Sequence, residues 1–184
     1  MIIASEKRKT NIAEYLLYMW HIEDLIRANN LDIDLIKKNI IDRYNLSPEK
    51  AREMTEWYES LIDMMRREGV EKSGHLQMNR NIISELARLH QTLLADPAFP
   101  EYSKEFYNTL PFIVELRAKA GDAKAGEIET CFNALYGLLM LKLQGKEISP
   151  ETAKAAETIS HFLATLAHDF ALDEKDQLFK HNND

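Results

Sequence analysis

The segment from Ile12 to Arg27 constrains the fold most, because its apolar residues recur at helical spacing around one misplaced acid. At about 100° per residue, Ile12, Leu16, Met19 and Ile26 form a single stripe, and Glu23 falls on its centre line. A stripe of that kind faces a core. A carboxylate aimed at a core must find hydrogen bonds, a cation or a proton, since an unpaired buried charge is too costly. The chain therefore declares a polar feature inside an apolar helical assembly. It declares no reaction.

The helical period continues along the chain with legible punctuation. The opening helix is expected over about Asn11 to Ala28, with Asn11 and Glu14 spaced as a capping box and Asn29-Asn30 ending it. A second, about Asp32 to Tyr44, puts Ile33, Ile36, Ile40 and Tyr44 on one face. Ser47-Pro48-Glu49 starts a third, with Met54, Trp57, Tyr58, Leu61 and Met65 inward and Gly69 at its end. A fourth begins near Ser73-Gly74 and runs to Ala95, with Ile82, Leu86, Leu89 and Leu93 inward. A fifth, about Glu101 to Ala120, buries Phe106, Leu110 and Val114 and should kink or split at Pro111. Gly121-Asp122 separates it from a sixth, about Ala123 to Gln144, apolar over most of its circumference and so central. Ser149-Pro150-Glu151 opens a seventh, with Ile159, Phe162, Leu163, Leu166 and Phe170 inward. No period-2 strand pattern is present.

The expected fold is all-α, a single compact bundle of about six to seven helices over residues 1–184, with 1–9 and 173–184 frayed. A chain of 184 residues suffices for one domain with a substantial core. Its net charge of −7 argues against a nucleic-acid partner, which needs a concentrated basic surface. Its longest apolar stretch, Cys131 to Leu143, is too short to cross a membrane. The one cysteine, Cys131, fits a reducing compartment and reads as a core residue, so a cytoplasmic setting is expected.

Familiar catalytic signatures are missing from the sequence: no Gly-rich phosphate loop, no Cys-x-x-Cys, no His-Glu-x-x-His and no Glu-x-x-His. No catalytic residue, metal or cofactor is expected. Among the histidines, His161 and His168 share a face away from their apolar stripe and read as solvated. His21 reads as a second-face packing residue, and His90 as a boundary residue beside the Leu86–Leu93 face. His181 belongs to the tail. His75 and Asn79 differ, because they lie on the inward stripe that Ile82 and Leu86 continue. The plain reading is that they cap or satisfy backbone near a helix start. The sharper one is a polar pocket holding Glu23, His75 and Asn79, walled by Trp20, Trp57 and Tyr58. For Glu23, Arg27 one turn on is the simpler partner, and inward-facing Arg117 is the long-range alternative.

The string Glu14-Tyr-Leu-Leu-Tyr-Met-Trp-His-Ile-Glu-Asp-Leu-Ile-Arg-Ala28, with Trp57-Tyr58 and Gly74-His75, resembles a Bacteroidetes family of small helical proteins known as a domain of unknown function. The resemblance implies an all-α fold, a cytosolic setting and no assigned activity, cofactor or catalytic residue. The leading expectation is a non-catalytic bundle acting by self-association, as a homodimer, or through a protein partner. It rests on the opening and sixth helices, which are apolar over more surface than one neighbour covers. The alternative is a small-molecule-binding protein or enzyme with a pocket on Glu23 and His75, the two serving as acid and base.

Overall fold

The computed structural model describes residues 2–120 and 125–179, and no strand occurs among them. In chain order it contains α1 (Ile2–Thr10), α2 (Ile12–Ala28), α3 (Ile33–Asn39), a 3-10 turn (Ile41–Tyr44), α4 (Pro48–Arg67), α5 (Gln77–Ala95), α6 (Pro100–Ala120), α7 (Glu127–Leu143) and α8 (Pro150–Asp173). The all-α expectation holds, but the described helices exceed the six to seven expected, because the segment read as a frayed start forms α1. Its last turn carries Lys7, Arg8 and Lys9, cations that suit a helix C-terminus. Lys7 bonds the Glu14 carboxylate, and the Arg8 guanidinium lies over the Tyr15 ring at 5.9 Å. No helix among the described residues is long and apolar enough to cross a membrane.

The chain divides into two compact units. Residues 1–9 and 14–81 form the first, and residues 10–13 and 82–184 the second. In the first, Leu16, Met19, Trp20 and Ile26 of α2 are buried, as are Ile36 of α3 and Tyr58, Leu61 and Met65 of α4. Burying each aliphatic side chain contributes about 1.5–3 kcal/mol. The Ser47 hydroxyl caps α4 by accepting from Lys50 N. At its other end Gly69, at φ +68°, reverses the chain while Val70 N–H bonds the Met65 carbonyl.

In the second unit Leu86, Leu89 and Leu93 of α5, Phe106 and Ile113 of α6, Cys131 and Phe132 of α7, and Phe162 and Leu166 of α8 are buried. Helices α6 and α8 are antiparallel. Glu105, near the start of α6, accepts from Thr165 at 2.6 Å, while Lys119 at its end interacts with Glu151 at the start of α8. Ser149 caps α8 as its Ser-Pro start suggests. Beyond α8, Leu178 is buried and Phe179 packs edge-on against Phe99, so this part of the tail is docked.

Several local expectations need correction. The helix expected over Asp32–Tyr44 stops at Asn39, and the 3-10 turn after it changes the register. Ile41 is therefore buried in place of Ile40, and Tyr44 is exposed. Helix α6 passes Pro111 unbroken. Pro111 is exposed, and the Tyr107 carbonyl it leaves without an N–H partner belongs to a residue that is 64% exposed, so water can reach that oxygen. Val114 is exposed and Ile113 takes the inward position instead. The sixth expected helix, α7, is central only in its first half: beyond Phe132 its residues are half-buried or exposed. Gly121-Asp122 and Ala123, read as a separator and a helix start, lie outside the described residues, as does His181 with the end of the tail.

Because Pro111 interrupts an otherwise regular helix on its wet side, Pro111→Ala should stabilise the protein by about 1–3 kcal/mol. Urea denaturation reads this directly. A loss of stability would mean that Pro111 shapes a contact the helix needs.

Candidate functional site

The most concentrated polar chemistry of the first unit lies where α2 meets the connection between α4 and α5. Glu23, on the second half of α2, is 0% exposed. Its Oε1 accepts from Leu76 N–H at 3.0 Å and from the Asn79 side-chain amide at 2.7 Å. Its Oε2 lies 2.6 Å from His75 Nδ1. A carboxylate only accepts, so Nδ1–H donates and Nε2 is left as the imidazole's other nitrogen. The His75 ring stacks on Trp20, with centroids 4.0 Å apart and planes 12° apart. Its side chain keeps 25% exposure.

These contacts identify what Glu23 is for in this arrangement. Leu76 is the residue just ahead of α5: its carbonyl accepts from Asn79 N–H and Arg80 N–H. In a local capping box the acid three residues into a helix reaches back to the N-cap N–H. Here that position holds Asn79, and the acid comes from α2, 53 residues earlier in the chain. A second carboxylate, Glu68, accepts from Gln77 N–H at 2.6 Å. Two anions thus occupy the positive end of α5, where free N–H groups and the helix dipole favour negative charge.

Arg27 lies one turn beyond Glu23 and grips the same connection from its other end. Its guanidinium donates to the carbonyls of Val70 and Gly74 and, at 2.7 Å, to Asp24. The simple Glu23–Arg27 pair is therefore corrected: Arg27 pairs with Asp24, because the carboxylate of Glu23 is directed at amide donors and Arg27 at carbonyls. Gly74 turns at φ +86°, a conformation that favours glycine. His75 is also relocated. It precedes α5, which begins at Gln77, and does not lie on that helix.

Of the other expected residues, Trp20 and Tyr58 are buried, and Trp57 is half-buried, set edge-on to Tyr58 at 5.1 Å. Glu23, Arg27, His75, Asn79 and Trp20 come together, whereas the unit's apolar cleft is lined by Ile3, Tyr18, Tyr44, Leu46, Lys50, Glu53 and Met54. Arg117 belongs to the second unit and is half-buried. Among the described residues no three His, Cys, Asp or Glu side chains gather as a metal would need. Cys131 is buried, and burial pushes its thiol up to about 12, so it is a poor nucleophile.

The second unit holds a polar cluster that the sequence reading missed. His90 is 1% exposed, with Nδ1 2.7 Å from the Tyr102 hydroxyl and Nε2 3.3 Å from Glu127 Oε2. The carboxylate accepts, so Nε2–H donates to Glu127 and Nδ1 accepts from Tyr102 O–H. Burial holds the Tyr102 phenol above its usual range, which keeps that donor protonated. The signal was in the spacing: His90 follows Leu86 by four and precedes Leu93 by three, the interval of one inward face.

A family model described as Domain of unknown function (DUF4924) matches residues 1–177. The chain belongs to that family. The match covers residues of both compact units, including Glu23 with its donors and the His90 cluster. No curated protein and no solved structure matches the chain.

Two outcomes follow from this geometry. Glu23→Ala strands Leu76 N–H, the Asn79 amide and His75 Nδ1, and should cost about 3–5 kcal/mol, with Glu23→Gln closer to 1–3 kcal/mol because one acceptor oxygen survives. Denaturant midpoints check both, and Glu23→Ala within about 1 kcal/mol of wild type would contradict the capping role. For His90, burial lowers the folded pKa below its ordinary 6.5, against the weaker opposing pull of Glu127. Its contribution to stability is therefore complete above pH 6.5 and is lost as pH falls through the lower folded value. Melting curves of wild type and His90→Gln should converge on acidification across that window. A constant difference between them would refute the assignment.

Proposed function

We propose that this protein is a non-catalytic helical protein that acts by self-association, with a second copy of the chain as its partner. The observation that carries the reading is the apolar surface left by the second half of α7 and the start of α8. A groove of about 420 Å³ there is lined by Leu135, Leu138, Leu139, Ile148, Ala153 and Ala156, together with Lys142, Glu157 and Ser160. Beside it Leu143 is 62% exposed and Leu141 is also exposed. Contiguous apolar surface of this kind marks interaction sites more often than isolated apolar residues do.

A second copy fits for a reason of charge. The groove places a cation on α7, Lys142, and an anion on α8, Glu157. A twofold arrangement brings each patch against itself, so Lys142 of one chain can meet Glu157 of the other. The opening helix contributes less than its sequence suggests, because α2 has most of its apolar residues buried within the chain. A cytoplasmic, Bacteroidetes setting belongs to the same proposal, supported by the single buried thiol and by the opening-helix string.

The second reading, a small-molecule site on Glu23 and His75, is favoured by one feature only. The carboxylate bonds an imidazole whose side chain retains 25% exposure. All described bonds of Glu23 go to donors of the fold itself, which supports architecture over turnover.

Sedimentation equilibrium from micromolar to millimolar protein should show a monomer–dimer equilibrium, weakened at least tenfold by Leu138→Asp. Lys142→Glu and Glu157→Lys should each weaken it, and the double exchange should restore it. A strict monomer throughout this range would end the proposal.

A further inference from the structure

The outer face of α7 carries a glycine that no contact within the described chain requires. Gly137 stands in the interior of α7 (Glu127–Leu143), where glycine weakens a helix relative to alanine. Its φ is not positive, so the backbone would accept any ordinary residue. It is exposed, and the space that a side chain would fill beside it is open. Glycine at such a point serves a close approach, and here the approaching group must come from outside the chain.

The residues around Gly137 are of one kind. No charged residue occurs from Thr130 to Leu141, and Ala134, Gly137, Leu138 and Leu141 have the spacing of one helix face. Leu141 is exposed, and Ala134 and Leu138 are only half-buried, so this face lies outward. Leu138 joins it to the groove between α7 and α8, where Lys142 and Glu157 supply opposite charges. A solvated helix face carries polar residues; this one is built for contact.

The order of sizes along the face identifies the occupant. It runs from small to large: Ala134 and Gly137, then Leu138 and Leu141. Laid against itself in reverse, Leu141 of one copy meets Ala134 of the other, and the two Gly137 positions cross at the centre beside Leu138. Each large side chain then faces a small one. Laid parallel, Leu141 would meet Leu141 and Ala134 would meet Ala134, crowding one end and leaving a gap at the other. Building on the self-association reading above, we propose that the dimer is centred on α7, which crosses α7 of a second copy antiparallel with Gly137 at the point of contact. The absent side chains let the two backbones approach more closely than leucines would allow.

Cysteine cross-linking of the full chain tests this geometry. Gly137→Cys should give a disulfide-linked dimer on mild oxidation, because the two positions face each other. Leu141→Cys should not. At about 1.5 Å per residue its two copies lie about 10 Å apart along the axis, beyond the roughly 7 Å that a disulfide spans. Sedimentation equilibrium gives a second readout. Gly137→Ala should weaken association about tenfold while raising the melting temperature of the dilute monomer, since the methyl group favours the helix and obstructs the crossing. Ala134→Leu and Leu141→Ala should each weaken association, and the two together should restore it. Cross-linking at Leu141 in preference to Gly137, association unchanged by Gly137→Ala, or no rescue by the double exchange would each overturn the proposal. A dimer showing any of these results leaves self-association standing and removes only the α7 crossing, whereas a strict monomer ends both.

Discussion

The contact between the Glu23 carboxylate and the first turn of α5 is the constraint on which the first unit depends. A helix start leaves N–H groups without intrahelical partners, and burying that start demands acceptors from elsewhere. Here the acceptors come from α2 and from the end of α4: Glu23 takes Leu76 N–H and Glu68 takes Gln77 N–H. Arg27 secures the carbonyls of Val70 and Gly74 in the same connection. Acid and base on successive turns of α2 thus hold the two polarities of one stretch of backbone. An apolar residue at position 23 would pack comfortably in α2 and leave the beginning of α5 unanswered.

That arrangement explains why an acid can occupy the centre of an apolar stripe without implying catalysis. Its lone pairs are directed at donors that have no alternative, and the stacked Trp20 and His75 rings close one side. The second unit solves a similar problem differently. His90 is satisfied as a neutral imidazole at both nitrogens, accepting from Tyr102 and donating to Glu127, with Phe106 and Phe162 set against the ring at 4.7 and 5.8 Å. Each unit therefore buries a polar network that links segments distant in sequence. In the His90 network both imidazole nitrogens are partnered, which rigidifies that core, whereas beside Glu23 the Asn79 Oδ1 is buried without a hydrogen-bond partner.

Function in this architecture is sought where satisfaction is incomplete. Glu23 and His90 have their partners, so they are poor places to look for turnover. The second half of α7 retains unburied leucines. A long apolar face is matched by another protein surface.

The amino-acid sequence alone determined the helical class, most helix boundaries and the inward faces of α5 and α8, because apolar period and local caps act within a few residues. Ser47, Gly69 and Ser149 mark their helices wherever the rest of the chain lies. The sequence also isolated Glu23, His75 and Asn79 as out of place, since a polar residue on an apolar stripe is visible without coordinates. Which donors Glu23 meets, that Arg27 turns to Asp24 and to loop carbonyls, and that α7 is left half uncovered were decided only by tertiary structure. Side chains within reach through space outnumber those one turn away on the helix, and a backbone N–H, identical at nearly every position, leaves no trace in the residue pattern until folding brings it near.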